Sequence, residues 1–393
     1  MRTQIGIVGA GPAGLLCSHL LRQVGIDSVV IESKSREHTS QRLRAGVLED
    51  GVVRFLRQIG LGERMDRVGM PMEGMAFHFG GKCSAVRFRE QTGDRSAMVY
   101  PQHEVVADLL AARTEAHGPI LFESPVLALE DVVGRRPRII FEREGDRATL
   151  ECDFVVGADG FHGVCRNAIP PDRLKVFTRD FPFSWLGILA RAAPARQDMT
   201  TWAYHEKGFA MLSMRSPEVS RCYLQCDPDD PIESWSDDRI WSELQARLAI
   251  EGGFRVNEGP ILQKTLTRMR SMMVEPMQYG RLFLAGDAAH IVPPTGAKGL
   301  NSAIADIRVL ARGLKDYYMG GDMSRLHTYS ATCLRRMWLV QRFSSRLCTM
   351  AHTFPGEDDY MRRLKIAEFE HMTGTPEGRR DFAESLTGLP VDA

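Results

Sequence analysis

The sequence predicts an α/β chain of mixed α+β character, in which a parallel-sheet domain is interrupted by a second, mixed sheet and closed by a helical C-terminal region. Three stretches carry that expectation. Residues 4–8 form a short apolar run, Gly9-Ala-Gly11-Pro-Ala-Gly14 turns into an amphipathic helix with Leu15, Leu16, Leu20 and Leu21, and the strand-like Val29-Val30-Ile31 ends in Glu32. Asp153-Phe-Val-Val-Gly-Ala-Asp159-Gly160 returns an apolar strand to an acidic turn. Residues 281–301 then run from an apolar strand through Gly286-Asp287 and Pro293-Pro294 into a helix marked by Ala303, Ile304, Ile307, Leu310 and Leu314.

The first stretch is Rossmann-like. Glycines permit the tight turn and a close backbone approach, a pyrophosphate rests on the helix start, and an acid about 20 residues on meets the ribose hydroxyls. Glu32 at that position suits an unphosphorylated ribose, hence FAD or NAD rather than NADP in this site. The 286–301 loop exposes backbone N–H groups at a second helix start, where the helix dipole favours anions, and its two prolines build a rigid wall that donates no hydrogen bonds.

Composition bounds the rest. The 393 residues carry 50 Lys+Arg and 50 Asp+Glu, so no charge excess points to nucleic acid or a membrane surface, and the apolar runs are strand-sized. The N-terminal residues pass from strand to glycine turn without a signal-peptide pattern, so the expected compartment is the cytoplasm. Eight cysteines without a C-x-x-C, with Cys222 and Cys226 closest to that spacing, read as buried thiols, and no metal site is expected.

Taken in order, Arg42 and Arg44 follow a polar stretch and suit either a solvated face or the neutralisation of phosphates. A helical pattern is expected from Val47 to Ile59. Short strands are expected at 75–79, 85–88 and 97–100, a helix at 102–116, and an antiparallel meander at 120–122, 126–129, 138–142 and 148–152. From 183 to 226 the segments alternate and are rich in aromatics, which predicts a mixed sheet that floors a pocket. Ser236 caps a helix with Ile240, Trp241, Leu244 and Leu248, a strand follows at 272–274, and a long late helix carries Leu326, Tyr329, Cys333, Met337 and Trp338.

The three motifs in this order and spacing, with 274–278 and Arg166–Phe177, resemble the single-component flavoprotein aromatic hydroxylases of the para-hydroxybenzoate hydroxylase family over nearly the whole chain. The resemblance implies FAD as cofactor and NADH or NADPH as visiting co-substrate. It divides the chain into an FAD-binding domain (1–72, 97–180 and 268–320), a substrate-binding sheet domain (73–96 and 181–267) and a helical interface region (321–393), with a homodimer expected. It implies FAD contacts by Gly9, Gly11, Gly14, Glu32, Arg42, Arg44, Gln102, Asp159, Gly160, Asp287, Gly299, Leu300 and Asn301. Lys34, His38, His162, Arg166 and Arg270 fall where the nicotinamide cofactor docks. Ser213, Arg215 and Tyr223 fall on the benzoate carboxylate clamp, and Trp185, Trp202, Pro294 and Leu386 line the ring, with Pro294, Thr295, Arg221 and Trp202 nearest the chemistry. The implied reaction is hydroxylation of a small aromatic carboxylate by molecular oxygen through a flavin C4a-hydroperoxide, in a pocket that excludes water.

The departures bear on the substrate. The family relays a phenol proton through a tyrosine pair and a histidine, and the matching positions are Trp202, Leu386 and Met72, which carry no proton at neutral pH. Ser33, Lys34 and His38 stand where NADPH-selective members have an arginine and a tyrosine, so NADH use is expected. A ring that activates itself, such as 3-amino-4-hydroxybenzoate hydroxylated ortho to its amine, is the favoured substrate, with 4-hydroxybenzoate the alternative. A flavin halogenase would need a Trp-x-Trp-x-Ile-Pro segment that this chain lacks. A non-catalytic flavin-dependent ligand sensor is the alternative from another class.

Overall fold

The computed structural model describes residues 1–41 and 46–389. Arg42 and Arg44 lie outside the described residues.

The apolar runs Ile5–Val8, Ser28–Ile31 and Phe154–Gly157 are buried throughout and lie side by side in parallel, with Leu282–Leu284 beyond the third and Ile120–Leu121 beyond the second. Burial on both sheet faces is why these strands read as continuous apolar runs. The Pro12–Gln23 helix crosses between the first two strands and packs Leu15, Leu16 and Leu21 on the sheet, with the Gly299–Gly320 helix on the same core. Residues 120–121 therefore belong to this sheet and not to the meander expected from the sequence. They follow the Gln102–Glu115 helix, and a strand reached through a crossover helix lands parallel to its neighbour. The meander itself spans Val126–Glu130, Arg138–Arg143 and Asp146–Glu151.

The helix expected from Val47 begins three residues later. Val47–Glu49 is a strand paired with Ala97–Val99, and the helix is Asp50–Gln58. Gly46 explains the register, because a Cβ there would meet Tyr100 O at 2.3 Å and Gln102 N at 2.7 Å.

The second sheet has eight strands, in the order 290–291, 261–275, 175–190, 219–226, 210–216, 199–203, 74–79 and 82–87. Two of its strands are longer than their sequence patterns suggest: Lys175–Ala190 and Ile261–Glu275 pair along most of their length and run across the expected domain boundaries at 180/181 and 267/268. Alternation along the strands sorts the side chains. Leu186, Ile188, Leu212, Cys222 and Leu224 face the Asp237–Leu248 helix, capped as expected by Ser236 Oγ, while Trp185, Trp202, Tyr223 and Phe77 belong to an aromatic cluster on the other face. The Ser324–Ala351, Asp359–Gly374 and Pro376–Thr387 helices close that face with Phe343, Phe369, Phe382 and Leu386. No helix among the described residues is long and apolar enough to cross a membrane.

Candidate active site

The glycine turn has the shape a dinucleotide needs. Gly9 takes φ +102°, and a Cβ on Gly14 would meet Gly9 O at 2.0 Å, whereas a Cβ on Gly11 would meet nothing within 4 Å, so the turn is tight on one side and open on the other. The Pro12–Gln23 helix has no side-chain cap at this end. Glu32 accepts from Ala10 N at 2.7 Å and from Lys34 N at 2.9 Å, which ties the second strand to the glycine turn. Asp159 points inward: one carboxylate oxygen accepts from Cys165 N at 2.9 Å, the other has no partner among the described residues, and burial pushes its pKa up. Gly160 follows it at φ +76°, and Gln102 opens the 102–115 helix.

At the other end, Asp287 and Pro294 are exposed, while Thr295 is buried and donates from Oγ1 to Ser344 O at 2.9 Å. The Gly299–Gly320 helix begins without a side-chain cap, and Gly299 has open space where a Cβ would be, with Leu300 half-buried beside it. Asn301 is committed to the scaffold. Its amide donates to Val47 O and Ala297 O and accepts from Glu49 N, so its backbone rather than its side chain is left for a cofactor.

Beneath this loop lies a charge network that the sequence reading missed. Lys298, with no exposed side-chain surface, donates to Glu49 Oε1 at 2.6 Å and to Leu386 O at 3.1 Å, and Arg336 holds the other Glu49 oxygen at 3.3 Å. Burial lowers the Lys298 pKa against the pull of Glu49. Two cations on one carboxylate leave positive charge at the helix start, which favours an anionic ring there. The network joins positions 249 and 287 residues apart, a distance no local pattern reports.

The sheet gathers the expected substrate residues. Ser213 pairs with Arg221, Met211 with both Tyr223 and Trp202, and Gly187 with Tyr223, which puts Ser213, Arg221, Tyr223 and Trp202 on one face. Arg215 is two residues past Ser213 across a register shift. Burial pulls its pKa down to about 10, with Tyr223 opposing and Arg221 adding to the shift. Arg221 lies 5.1 Å over the Tyr223 ring and donates to Thr265 Oγ1, in room left by Gly187, whose Cβ would meet both Arg221 and Tyr223. Two guanidiniums beside two hydroxyl-bearing residues make this corner suited to a carboxylate.

The ring end is apolar. Trp202 stands edge-on to Phe77 and Phe209, and its buried indole N–H has no partner among the described residues. Met72 Sδ accepts from Thr200 Oγ1, which is 3.3 Å from Ser213 Oγ, and Leu386 is buried in the same cluster. Trp185 packs 4.8 Å from the Tyr223 ring and donates to His352 Nε2. His352 is the titratable group nearest this wall that the sequence reading did not single out, and it does not replace the relay. It accepts from Trp185 while its other nitrogen donates to Cys348 O, and burial pulls its pKa down to about 3, so the ring stays neutral.

The nicotinamide candidates occupy two places. Lys34 and His38 are exposed near Glu32, and His162, Arg166 and Arg270 surround Phe161. Arg166 is more structural than expected: it donates to Phe161 O and Ala288 O and so ties the 159–166 loop to the Gly286 turn. All eight cysteines are free thiols, with Cys83 exposed, and no metal-binding group of His, Cys, Asp and Glu occurs among the described residues.

The glycine turn with Glu32, the orphaned Asp159 oxygen and the uncapped start of the 299–320 helix fit FAD. Comparison with known proteins agrees. A family profile described as "FAD binding domain" matches residues 2–344. p-Hydroxybenzoate hydroxylase of Acinetobacter baylyi is 40% identical over 392 residues, covering 100% of this chain and 96% of that protein. 6-Hydroxy-3-succinoylpyridine 3-monooxygenase of Pseudomonas putida is 24% identical, covering 91% of each. The solved p-nitrophenol 4-monooxygenase of Pseudomonas putida shares the fold with a TM-score of 0.83 at 19% identity, covering 99% of each chain. The chain therefore belongs to the p-hydroxybenzoate hydroxylase family of FAD-dependent aromatic monooxygenases.

Proposed function

We propose that the substrate is a substituted benzoate that activates its own ring, with 3-amino-4-hydroxybenzoate, hydroxylated at its 2-position, the favoured form. Bound FAD supplies a hydride acceptor for the nicotinamide and the site of oxygen activation. Arg215, with Ser213 and Tyr223, would hold the carboxylate, and Arg221, Pro294 and Thr295 would set the ring against the cofactor loop. Trp185, Trp202 and Leu386 would keep water out.

The observation that carries the substrate is the Trp202 indole, buried and without a partner among the described residues, at a position that matches the family's relay. An indole N–H donates and accepts nothing. It suits a ring oxygen, takes no proton from it, and passes none to Met72 or Leu386. A phenol held there keeps its proton, and electron density for attack must then come from another substituent. An amine provides it at the carbon ortho to itself.

The second reading, 4-hydroxybenzoate, is favoured by the 40% identity to the Acinetobacter baylyi enzyme, and the relatives do not separate the two. A panel of amino- and hydroxybenzoates, followed by nicotinamide oxidation and product mass, tests the proposal. Amino-hydroxybenzoates are expected to stimulate oxidation and emerge with one more oxygen. Binding of these acids with neither stimulated oxidation nor an oxygenated product would point to a ligand sensor.

NADH is expected to serve at least as well as NADPH, because Lys34 and His38 offer no bidentate fork for a 2′-phosphate. Steady-state kinetics with both decides, and a hundredfold preference for NADPH, about 2.7 kcal/mol, contradicts it. We also propose a homodimer, supported by exposed Val176, Phe177, Trp338 and Leu339, of which Phe177 and Trp338 pack edge to face. The free thiols suit a reducing, cytoplasmic setting.

A further inference from the structure

Beneath the Gly286 turn lies a buried histidine–carboxylate pair that the substrate chemistry leaves unused. Asp306, on the Gly299–Gly320 helix, is 2% exposed, and a single oxygen, Oδ2, accepts from Gly286 N at 3.0 Å and meets His290 Nε2 at 2.6 Å. Gly286 takes φ +61°, its N–H is held by Asp306, and the next residue, Asp287, is exposed. His290 is fixed from its own side: it pairs with Met273, and Gln341 clasps the adjoining strands through Met272 O and Ile291 O.

We propose that His290 is a positioning residue for FAD: through Asp306 it holds the Gly286–Asp287 turn, and FAD binding is linked to uptake of a proton by His290. The argument is one of charge. Asp306 and Asp287 both act on the imidazole and favour its protonated form, Arg336 opposes them, and Cys333 and Tyr329 face Asp306 from the neighbouring helix. The two carboxylates hold the His290 pKa above its ordinary value despite complete burial. In the free protein, water at the exposed Asp287 screens its charge. Covering that residue with the cofactor, whose diphosphate is itself anionic, removes the screening and leaves one imidazole among negative groups. The protonated form balances them, so the proton is drawn from solvent.

The sign follows from linkage. A base whose pKa rises on binding favours the complex at low pH, and that contribution fades as pH climbs through the pKa of the complex. FAD affinity is therefore expected to weaken on the alkaline side of neutrality.

The test is calorimetric titration of FAD into the full-length chain stripped of flavin, in buffers of different ionisation enthalpy, from pH 6 to 9. A buffer-dependent heat corresponding to proton uptake is expected, rising above neutral pH. His290→Gln, which keeps a donor for Asp306 but cannot take the proton, is expected to lose that uptake and to bind FAD about tenfold more weakly at low pH, converging on the wild type at high pH. A purely structural role would lower affinity equally at every pH. Asp306→Asn carries the same test if His290→Gln does not fold. Absence of proton uptake in the wild type, or uptake unchanged in the variants, overturns the proposal.

Discussion

In an Arg215→Ala variant, benzoate affinity is expected to fall by at least two orders of magnitude, about 3 kcal/mol or more, while FAD remains bound. The guanidinium sits in a corner dry enough to pull its pKa down to about 10, and a carboxylate entering that corner without it would be buried beside Arg221 alone. Arg221 is already engaged with Tyr223 and Thr265, so it replaces the lost fork poorly. The loss should appear in the dissociation constant measured from the flavin spectrum. Arg215→Lys should recover only part of it, since an ammonium does not reproduce a bidentate pair. An unchanged dissociation constant in the alanine variant refutes the clamp.

The second large effect is expected at Lys298. Replacing it with Met leaves Glu49 buried with only Arg336 at its far oxygen, and strips Leu386 O of its donor. Removing one partner of a buried ion network costs about 3–5 kcal/mol, because the surviving charge is left without its counter-ion. The thermal midpoint should drop accordingly, and adding Glu49→Gln to Lys298→Met should restore part of the loss, since the two sites are in direct contact. A midpoint equal to wild type, or losses that simply add, would show that this network does not stabilise the loop.

These two residues also show what a single sequence discloses. Arg215 was singled out because Ser213, Arg215 and Tyr223 fall in a stretch that resembles the family's carboxylate clamp, whereas periodicity alone marks them only as strand residues. Lys298 was not, because a lysine in a glycine-rich loop looks solvated until Glu49 comes to it from the other end of the fold. The same division runs through the architecture. The Gly9–Glu32 unit and the 281–301 loop were readable because their chemistry is local: glycines at fixed offsets, an acid at a strand end, prolines before a helix. The 47–49 strand was not, since its extended form depends on pairing with 97–99. Ile120–Leu121 looked like the start of a meander because two apolar residues do not disclose which sheet they join. Asn301 was placed rightly at the helix start, but its side chain serves strand 47–49, a role set by tertiary contact.

The central claim is that this pocket hydroxylates a benzoate from which it removes no para proton. The most direct measurement is the fraction of nicotinamide oxidation recovered as hydroxylated product rather than hydrogen peroxide, for 3-amino-4-hydroxybenzoate and for 4-hydroxybenzoate side by side. With Trp202, Leu386 and Met72 at the relay positions, the amino acid is expected to give mostly hydroxylated product and 4-hydroxybenzoate mostly peroxide. Tight coupling with 4-hydroxybenzoate, and only peroxide or no turnover with the aminobenzoate, would contradict the claim.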